Sequence, residues 1–174
     1  MIQAYIGDGK GKTTASIGLM IRALGAGKNV ALVAFDKGSK TYNHSEYIIF
    51  DRLNIKYYVT GKERMLPDGT FRFQTNEEDK KEALRGIKIA KELCLNNNID
   101  VLVLDEILSA VTYGLIEKKE VYDLVSIIPN NIEVVLTGRY EDSVLLNQLD
   151  LVTSMTKIKH YFDKGVQARK GIEY

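Results

Sequence analysis

The chain has 174 residues, of which 45% are hydrophobic and 27% charged, and its formal net charge at pH 7 is +1. This length is sufficient for one well-buried core, so we expect a single domain over residues 1–174. Its charge gives no global field that attracts nucleic acid, and no apolar run approaches the roughly 20 residues that cross a bilayer. With Cys94 as its single cysteine the chain has no disulfide framework, and we expect a cytoplasmic protein without nucleic-acid or membrane partners.

The chain opens with an apolar strand, a glycine-rich turn and a helix-forming stretch, which together predict a phosphate-binding loop. Backbone N–H groups of such a loop curl around an anion, while Lys12 supplies positive charge and Thr13 offers a hydroxyl to Mg²⁺. The residues expected to bind nucleotide are Gly7, Asp8, Gly9, Lys10, Gly11, Lys12, Thr13 and Thr14. The common pattern has four residues between the first Gly and Gly-Lys-Thr, whereas Gly7 has three before Gly11, so the loop is one residue short.

Short β-rich runs alternate with longer helical patterns through the rest of the chain. Their continuous apolar character favours burial on both faces, as in a mostly parallel sheet covered by helices. We therefore predict an α/β, P-loop NTPase-like (RecA-like) three-layer sandwich. Further strands are expected at 29–35, 55–59, 100–104, 132–137 and 150–155, and helices near 44–53, 76–97, 106–126 and 141–148. In the second helix, Cys94 falls on the same face as Ala83, Ile87 and Ala90, so we interpret it as a core residue and not as a reactive thiol.

Two motifs follow apolar strands and supply the second half of a nucleotide site. Asp105 and Glu106 end one strand, and in a parallel sheet that end lies near the phosphate loop. Either carboxylate could hold Mg²⁺ directly or through water, although acidic residues at this position also cap helices. Arg139 follows another strand, where its guanidinium could clamp phosphate oxygens or form a surface ion pair.

The segment 60–75 lacks clear periodicity and contains the turn signal Pro67-Asp68-Gly69. Phe71 and Phe73 lie there among charged residues. They could fill a small cluster beneath a β-hairpin, or they could form an aromatic wall for a flat ligand. His160 lies in a basic C-terminal segment that could meet an anionic ligand or remain a solvated surface.

These residues resemble the P-loop corrinoid adenosyltransferase family, the ATP:cob(I)alamin adenosyltransferases. The resemblance covers nearly the whole chain, and the most distinctive part is the ending. The matching motifs are Gly7–Thr14, Phe35–Gly38, Leu104–Glu106, Thr137–Arg139, Asp150–Thr153, Lys159–His160 and Gly165–Tyr174.

The resemblance implies that ATP and a reduced corrinoid are the substrates and that the 5′-deoxyadenosyl group moves to cobalt, with triphosphate as the leaving group. Lys12, Arg139 and Mg²⁺ would stabilise that leaving group. Phe71 and Phe73 resemble two family aromatics that press on the lower face of the corrin and displace its lower ligand. Phe73 stands where an enzyme of the family carries Trp, and Ser154 stands where relatives often have Glu. The stretch 39–44 matches poorly, and no corrinoid contact is transferred to it.

The family also implies a homodimer that receives reduced corrinoid from a flavoprotein reductase. Two other functions remain open from the residues alone. The phosphate and metal motifs would equally serve a generic P-loop ATPase or phosphotransferase. A protein that binds nucleotide and corrinoid without catalysis would also carry these motifs.

Overall fold

The structure is a computed structural model that describes residues 1–39, 44–64, 66, 72–95 and 98–174. These residues form six strands and six α-helices, with one helix between successive strands except for two before the fifth strand, and a 3₁₀ helix follows the last strand. The strands are β1 Ile2–Ile6, β2 Val30–Ala34, β3 Lys56–Val59, β4 Val101–Asp105, β5 Glu133–Thr137 and β6 Leu151–Ser154. The helices are α1 Lys12–Gly25, α2 Glu46–Arg52, α3 Glu77–Leu95, α4 Ile107–Thr112, α5 Lys118–Ser126 and α6 Ser143–Leu146, and the 3₁₀ helix is Tyr161–Lys164.

All six strands form one parallel sheet in the order β3-β2-β4-β5-β1-β6. The prediction of an α/β fold with a mostly parallel sheet is confirmed. The central strands β2 and β4 are buried along their whole length, because they are apolar at nearly every position and helices cover both faces.

Successive residues of β2 point into two separate layers of the core. Val33 and Phe35 pack with α3, α4 and α5 on one face, whereas Leu32 packs with α1 and α2 on the other. The face of α3 predicted from its spacing is buried as expected, and Cys94 lies within it. Within the residues described, no helix is long and apolar enough to cross a bilayer.

The helical stretch predicted over 106–126 is two helices. Helix α4 ends at Thr112, and Gly114 takes a left-handed φ of 70°, which stops the helix before α5 begins at Lys118. The connection between the two helices buries Leu115 and Ile116 in the core.

The carboxyl ends of all strands meet at one edge of the sheet, since every strand runs in the same direction. The loop after β1, the start of α4 after β4 and the turn after β5 are neighbours there. This edge is where the parallel topology places a ligand site.

Candidate nucleotide-binding site

A cavity of about 680 Å³ opens at the carboxyl edge of the sheet. It is lined by the loop after β1, by the segments after β2, β4 and β5, and by the C-terminal residues. The loop side consists of Asp8, Gly9, Lys10, Gly11, Lys12, Thr13, Thr14 and Ile17. The rest consists of Lys37, His44, Ser45, Glu46, Glu106, Ser109, Tyr113, Arg139, His160, Gly171, Ile172, Glu173 and Tyr174.

The loop after β1 is held against the end of β6. The N–H of Gly9 donates to the carbonyl of Met155 at 2.7 Å, and the Asp8 carboxylate accepts from the N–H of Lys157 at 3.0 Å. A Cβ on Gly7 or Gly9 would lie only 2.6 Å from the Met155 carbonyl oxygen, so both positions require glycine. One N–H group of the shortened loop is therefore occupied by the protein itself.

Lys12 is buried and folds back over its own loop. Its ammonium donates to the carbonyls of Gly7 at 2.7 Å and Gly9 at 2.8 Å, and burial lowers the pKa of the amine. Helix α1 begins at this residue, and its N-cap Gly11 supplies no side chain to the free N–H groups of the first turn. The helix start therefore combines a cation with N–H groups that have no partner among the described residues, as an anion site requires.

Asp105 forms the floor of the site and is 1% exposed. Its Oδ1 accepts from the hydroxyls of Thr13 at 2.8 Å and Thr137 at 2.7 Å, while its Oδ2 lies 2.5 Å from the ammonium of Lys37. Strands β4 and β5 and helix α1 each supply one part of this arrangement. Both carboxylate oxygens thus have partners, which burial of a charge demands.

Asp105 and Lys37 each favour the charged form of the other. Burial opposes ionisation of Asp105, but Lys37 and the two threonine hydroxyls outweigh it and lower its pKa. Burial likewise opposes the charge on Lys37, and the ion pair with Asp105 raises its pKa nonetheless. Both groups are charged at neutral pH.

Glu106 and Arg139 lie on the wall of the cavity. Glu106 takes a left-handed φ of 61° at the start of α4, and its N–H donates to the Thr137 hydroxyl at 2.8 Å. The backbone of Arg139 is fixed by Ser109, whose hydroxyl accepts its N–H, and by Thr112, whose hydroxyl donates to its carbonyl. In the part of the chain that the structure describes, no carboxylate forms an ion pair with the Arg139 guanidinium, which is exposed.

The C-terminal segment crosses the loop and closes one side of the cavity. The ammonium of Lys10 donates to Glu173 at 2.6 Å, to the Tyr161 hydroxyl at 2.8 Å and to the Ile172 carbonyl at 2.9 Å. The Tyr174 carbonyl accepts from the Ser45 hydroxyl at 3.1 Å. Lys10, which the loop motif predicts to bind nucleotide, lines the cavity and also holds the C-terminal segment.

Phe73 is 82% exposed and does not line this cavity. The guanidinium of Arg64 connects it to the sheet, because it donates to the Phe73 carbonyl at 2.7 Å and to Asp36 at 2.5 Å, just after β2. The N–H of Arg72 donates to the Arg64 carbonyl at 2.8 Å, so the two flanks of the 60–75 segment are joined. Phe71 lies outside the described residues.

The residues at the floor fit a magnesium ion. Among residues 1–39, 44–64, 66, 72–95 and 98–174 no group of three or more His, Cys, Asp or Glu forms a metal cage. Mg²⁺ in nucleotide sites needs no such cage, since it keeps waters and phosphate oxygens beside one or two protein groups. Thr13, Asp105 and Glu106 supply a hydroxyl and two carboxylates beside the loop.

The contacts of several residues of the site had no recognisable signal in the sequence. Lys37 and Glu173 lie in the motifs Phe35–Gly38 and Gly165–Tyr174, but nothing in those motifs indicated that Lys37 would pair with Asp105 or that Glu173 would contact Lys10, 163 residues away. Polar residues follow several apolar strands of the chain, and this pattern indicated that Lys37 would lie at the same edge of the sheet.

A glycine-rich loop between β1 and α1, an acidic strand end and an arginine on the same edge of a parallel sheet define a P-loop nucleotide-binding protein. Residues 1–174 match the family described as ATP:corrinoid adenosyltransferase BtuR/CobO/CobP. The chain belongs to this family and is an enzyme that transfers the adenosyl group of ATP to a corrinoid.

Relatives from three bacteria support the assignment over the whole chain. The chain is 33% identical to "Corrinoid adenosyltransferase CobA" of Salmonella typhimurium, covering 100% of this chain and 85% of that protein. It is 32% identical to the corrinoid adenosyltransferase of Escherichia coli K12, with the same coverage. A Pseudomonas aeruginosa corrinoid adenosyltransferase is 30% identical, covering 100% of this chain and 83% of that protein.

Proposed function

We propose that ATP binds in the cavity with its triphosphate on the loop from Gly7 to Thr14. The observation that carries this proposal is the convergence of Lys12, Arg139 and the free first turn of α1 on one cavity. A triphosphate is the ligand whose charge matches these donors.

The leaving group of the reaction is the intact triphosphate. The electron pair of Co(I) attacks ribose C5′, a cobalt–carbon bond forms, and the C5′–O bond breaks with its electrons passing to the triphosphate oxygen. Charge develops on that oxygen, so Lys12 and Arg139 act by electrostatic stabilisation and by alignment. No protein nucleophile is needed, because the cobalt is the nucleophile.

Thr13, Asp105 and Glu106 would hold Mg²⁺ beside the triphosphate. The ion would supply further positive charge to the leaving group. Asp105 is enclosed by Thr13, Thr137 and Lys37, so its contribution to the ion includes fixing the Thr13 hydroxyl through the 2.8 Å hydrogen bond.

Phe73, together with Phe71, would contact the lower face of the corrin. The exposure of Phe73 supports this role, since a large apolar side chain exposed at the surface is typical of a ligand-binding face. Arg64 connects the Phe73 carbonyl to the Asp36 carboxylate, and this fixes the backbone that carries the ring.

We further propose that residues 1–174 form a single domain that works as a homodimer served by a flavoprotein reductase. The single-domain proposal is supported by the sheet, in which β1 lies between β5 and β6 and thus joins the two ends of the chain. Dimerisation and the reductase rest on the family resemblance.

The test is incubation of the protein with MgATP and chemically reduced cobalamin. We expect the spectrum of an alkylcobalamin and one triphosphate for each product formed. ADP and phosphate without alkylcobalamin would contradict the proposed chemistry.

Phe73→Ala should leave ATP binding unchanged and slow the reaction that starts from cob(II)alamin more than the reaction that starts from cob(I)alamin.

A further inference from the structure

Lys37 is a charged residue of the cavity for which the proposed function has no use. It lies just beyond the carboxyl end of β2, where its N–H donates to the Thr60 carbonyl at 2.8 Å and fixes the backbone. Its side chain is 14% exposed and ends 2.5 Å from Oδ2 of Asp105. The ammonium therefore lies at the oxygen of Asp105 that the two threonines leave open.

A buried carboxylate requires a counter-cation. Oδ2 of Asp105 cannot contact the Lys37 ammonium and a divalent ion at the same time without weakening both contacts. Losing one partner of a buried pair leaves an uncompensated charge, which is strongly unfavourable. Lys37 supplies the cation when no metal is present. A bound Mg²⁺ would supply it instead, and the ammonium would then lose its partner.

The released ammonium would remain inside the cavity. Lysine has a flexible four-carbon stem and three donors, so it can turn while its backbone stays fixed. The carboxylates that face this space are Glu46 and Glu106, and Glu46 lies beside His44 at 3.5 Å. A triphosphate carries more negative charge than either carboxylate and is the stronger partner.

We propose that Lys37 exchanges partners, neutralising Asp105 in the metal-free protein and binding the triphosphate once Mg²⁺ is present. This inference rests on the proposed function of the site. It makes Lys37 a third protein cation for the leaving group and couples metal binding to the readiness of the cavity for ATP.

The test compares Lys37→Gln with the wild type and with Lys28→Gln, a control at an exposed surface lysine. Mn²⁺ binding without nucleotide is followed by electron paramagnetic resonance, and binding of tripolyphosphate with Mg²⁺ by calorimetry. We expect Lys37→Gln to bind Mn²⁺ several-fold more tightly and tripolyphosphate about tenfold more weakly, the loss of one charge-assisted hydrogen bond. Lys28→Gln should match the wild type in both.

Acylation of lysines in the wild type, read by mass spectrometry, tests the exchange even if the variant does not fold. Mg²⁺ alone should raise the acylation rate of Lys37, and added tripolyphosphate should protect it, with Lys28 unchanged throughout. If the wild type binds tripolyphosphate and Mn²⁺ but neither Lys37→Gln nor acylation shows these changes, the exchange is wrong and the proposed site stands. If the wild type binds neither tripolyphosphate nor Mn²⁺, both the exchange and the proposed function of the site are wrong.

Discussion

Asp79 fixes the beginning of α3 through four hydrogen bonds. Its carboxylate accepts two bonds from the Arg72 guanidinium, at 2.6 and 2.9 Å, and one from the N–H of Asn76 at 2.9 Å. The side chain of Asn76 accepts the N–H of Asp79 in return, which is a reciprocal capping arrangement. This arrangement also anchors Arg72, the neighbour of Phe73.

We expect Asp79→Asn to lower the free energy of unfolding by about 1–2 kcal/mol at pH 7, because it removes a charge-assisted cap. The bond from Arg72 is the main reason that the pKa of Asp79 is below its usual value. A carboxylate with a lowered folded pKa contributes stability above its unfolded pKa of about 3.9, and this is lost as the pH falls through the folded pKa. Urea unfolding from pH 7 to pH 2.5 should show the two proteins converging below about pH 4, whereas a constant difference would contradict the charge as its source.

Cys94 should behave as an inert core residue. Burial raises the pKa of its thiol to about 11, so thiolate is scarce at pH 8. We expect the native protein to react with a disulfide reagent on the order of 100-fold more slowly than the urea-unfolded protein. Comparable rates would place the thiol in a mobile or open region.

At the residue scale the sequence predicted the parts of the site that act through a local pattern. Lys12 and Thr13 belong to a continuous motif, and Asp105 ends an apolar strand, so each was recognisable without tertiary information. The ion pairs Asp105–Lys37 and Lys10–Glu173 were not recognisable, because the members of each pair lie far apart in the sequence. No local pattern relates Lys10 to Glu173, because the two residues lie 163 positions apart in the sequence.

At the element scale, the approach of α3 to β2 depends on Gly86. A Cβ at this position would lie 2.7 Å from Cε1 of Phe35, which is fully buried. We expect Gly86→Ala to destabilise the protein by about 1–3 kcal/mol through overpacking. The matched control is Gly18→Ala in α1, where nothing lies within 4 Å and the higher helix propensity of Ala should stabilise by about 0.5–1 kcal/mol. Denaturant midpoints that move in the same direction for both variants would contradict this packing argument.

The C-terminal segment depends on Glu173 for its position over the loop. Its carboxylate bonds Arg169, Lys10 and Tyr161, and these bonds hold its pKa far below the usual value for Glu. We expect Glu173→Gln to release the segment, so that trypsin cleaves after Lys164 and Arg169 faster than in the wild type. Asp163→Asn, which breaks an exposed ion pair to Lys157 in the same segment, should leave the rate unchanged. Equal acceleration in both variants would mean that general loosening, not the Lys10 contact, controls the segment.

The boundaries of elements were harder to predict than their existence. The sequence over 106–126 predicts one helical stretch, yet a left-handed Gly114 divides this stretch into α4 and α5. A single glycine inside a helical pattern can also be tolerated, so only the tertiary path of the chain decides such a break.

At the scale of the whole molecule, strand order brings distant segments to one cavity. The N-terminal strand β1 lies between β5 and β6, which places the loop after β1 against Met155 and the C-terminal residues. The alternation of strands and helices predicted a parallel sheet, and a parallel sheet has a single edge at which ligands bind. The order of the strands was not predictable from composition, so neither was the closure of the cavity by the tail.

Because the cavity joins the loop, the sheet edge and the tail, a ligand that fills it should stabilise the entire fold. With Mg²⁺ and tripolyphosphate at 100 times the dissociation constant, the free energy of unfolding rises by about 2.7 kcal/mol, which corresponds to a shift in Tm of about 5–10 °C. Lys12→Met should abolish most of this shift, because the ammonium that bridges Gly7 and Gly9 is the buried cation of the loop. Differential scanning calorimetry with sodium sulfate at matched ionic strength controls for general salt effects. An equal shift in the wild type and in Lys12→Met would show that tripolyphosphate binds elsewhere on the molecule, since a net charge of +1 provides no global attraction that could explain it.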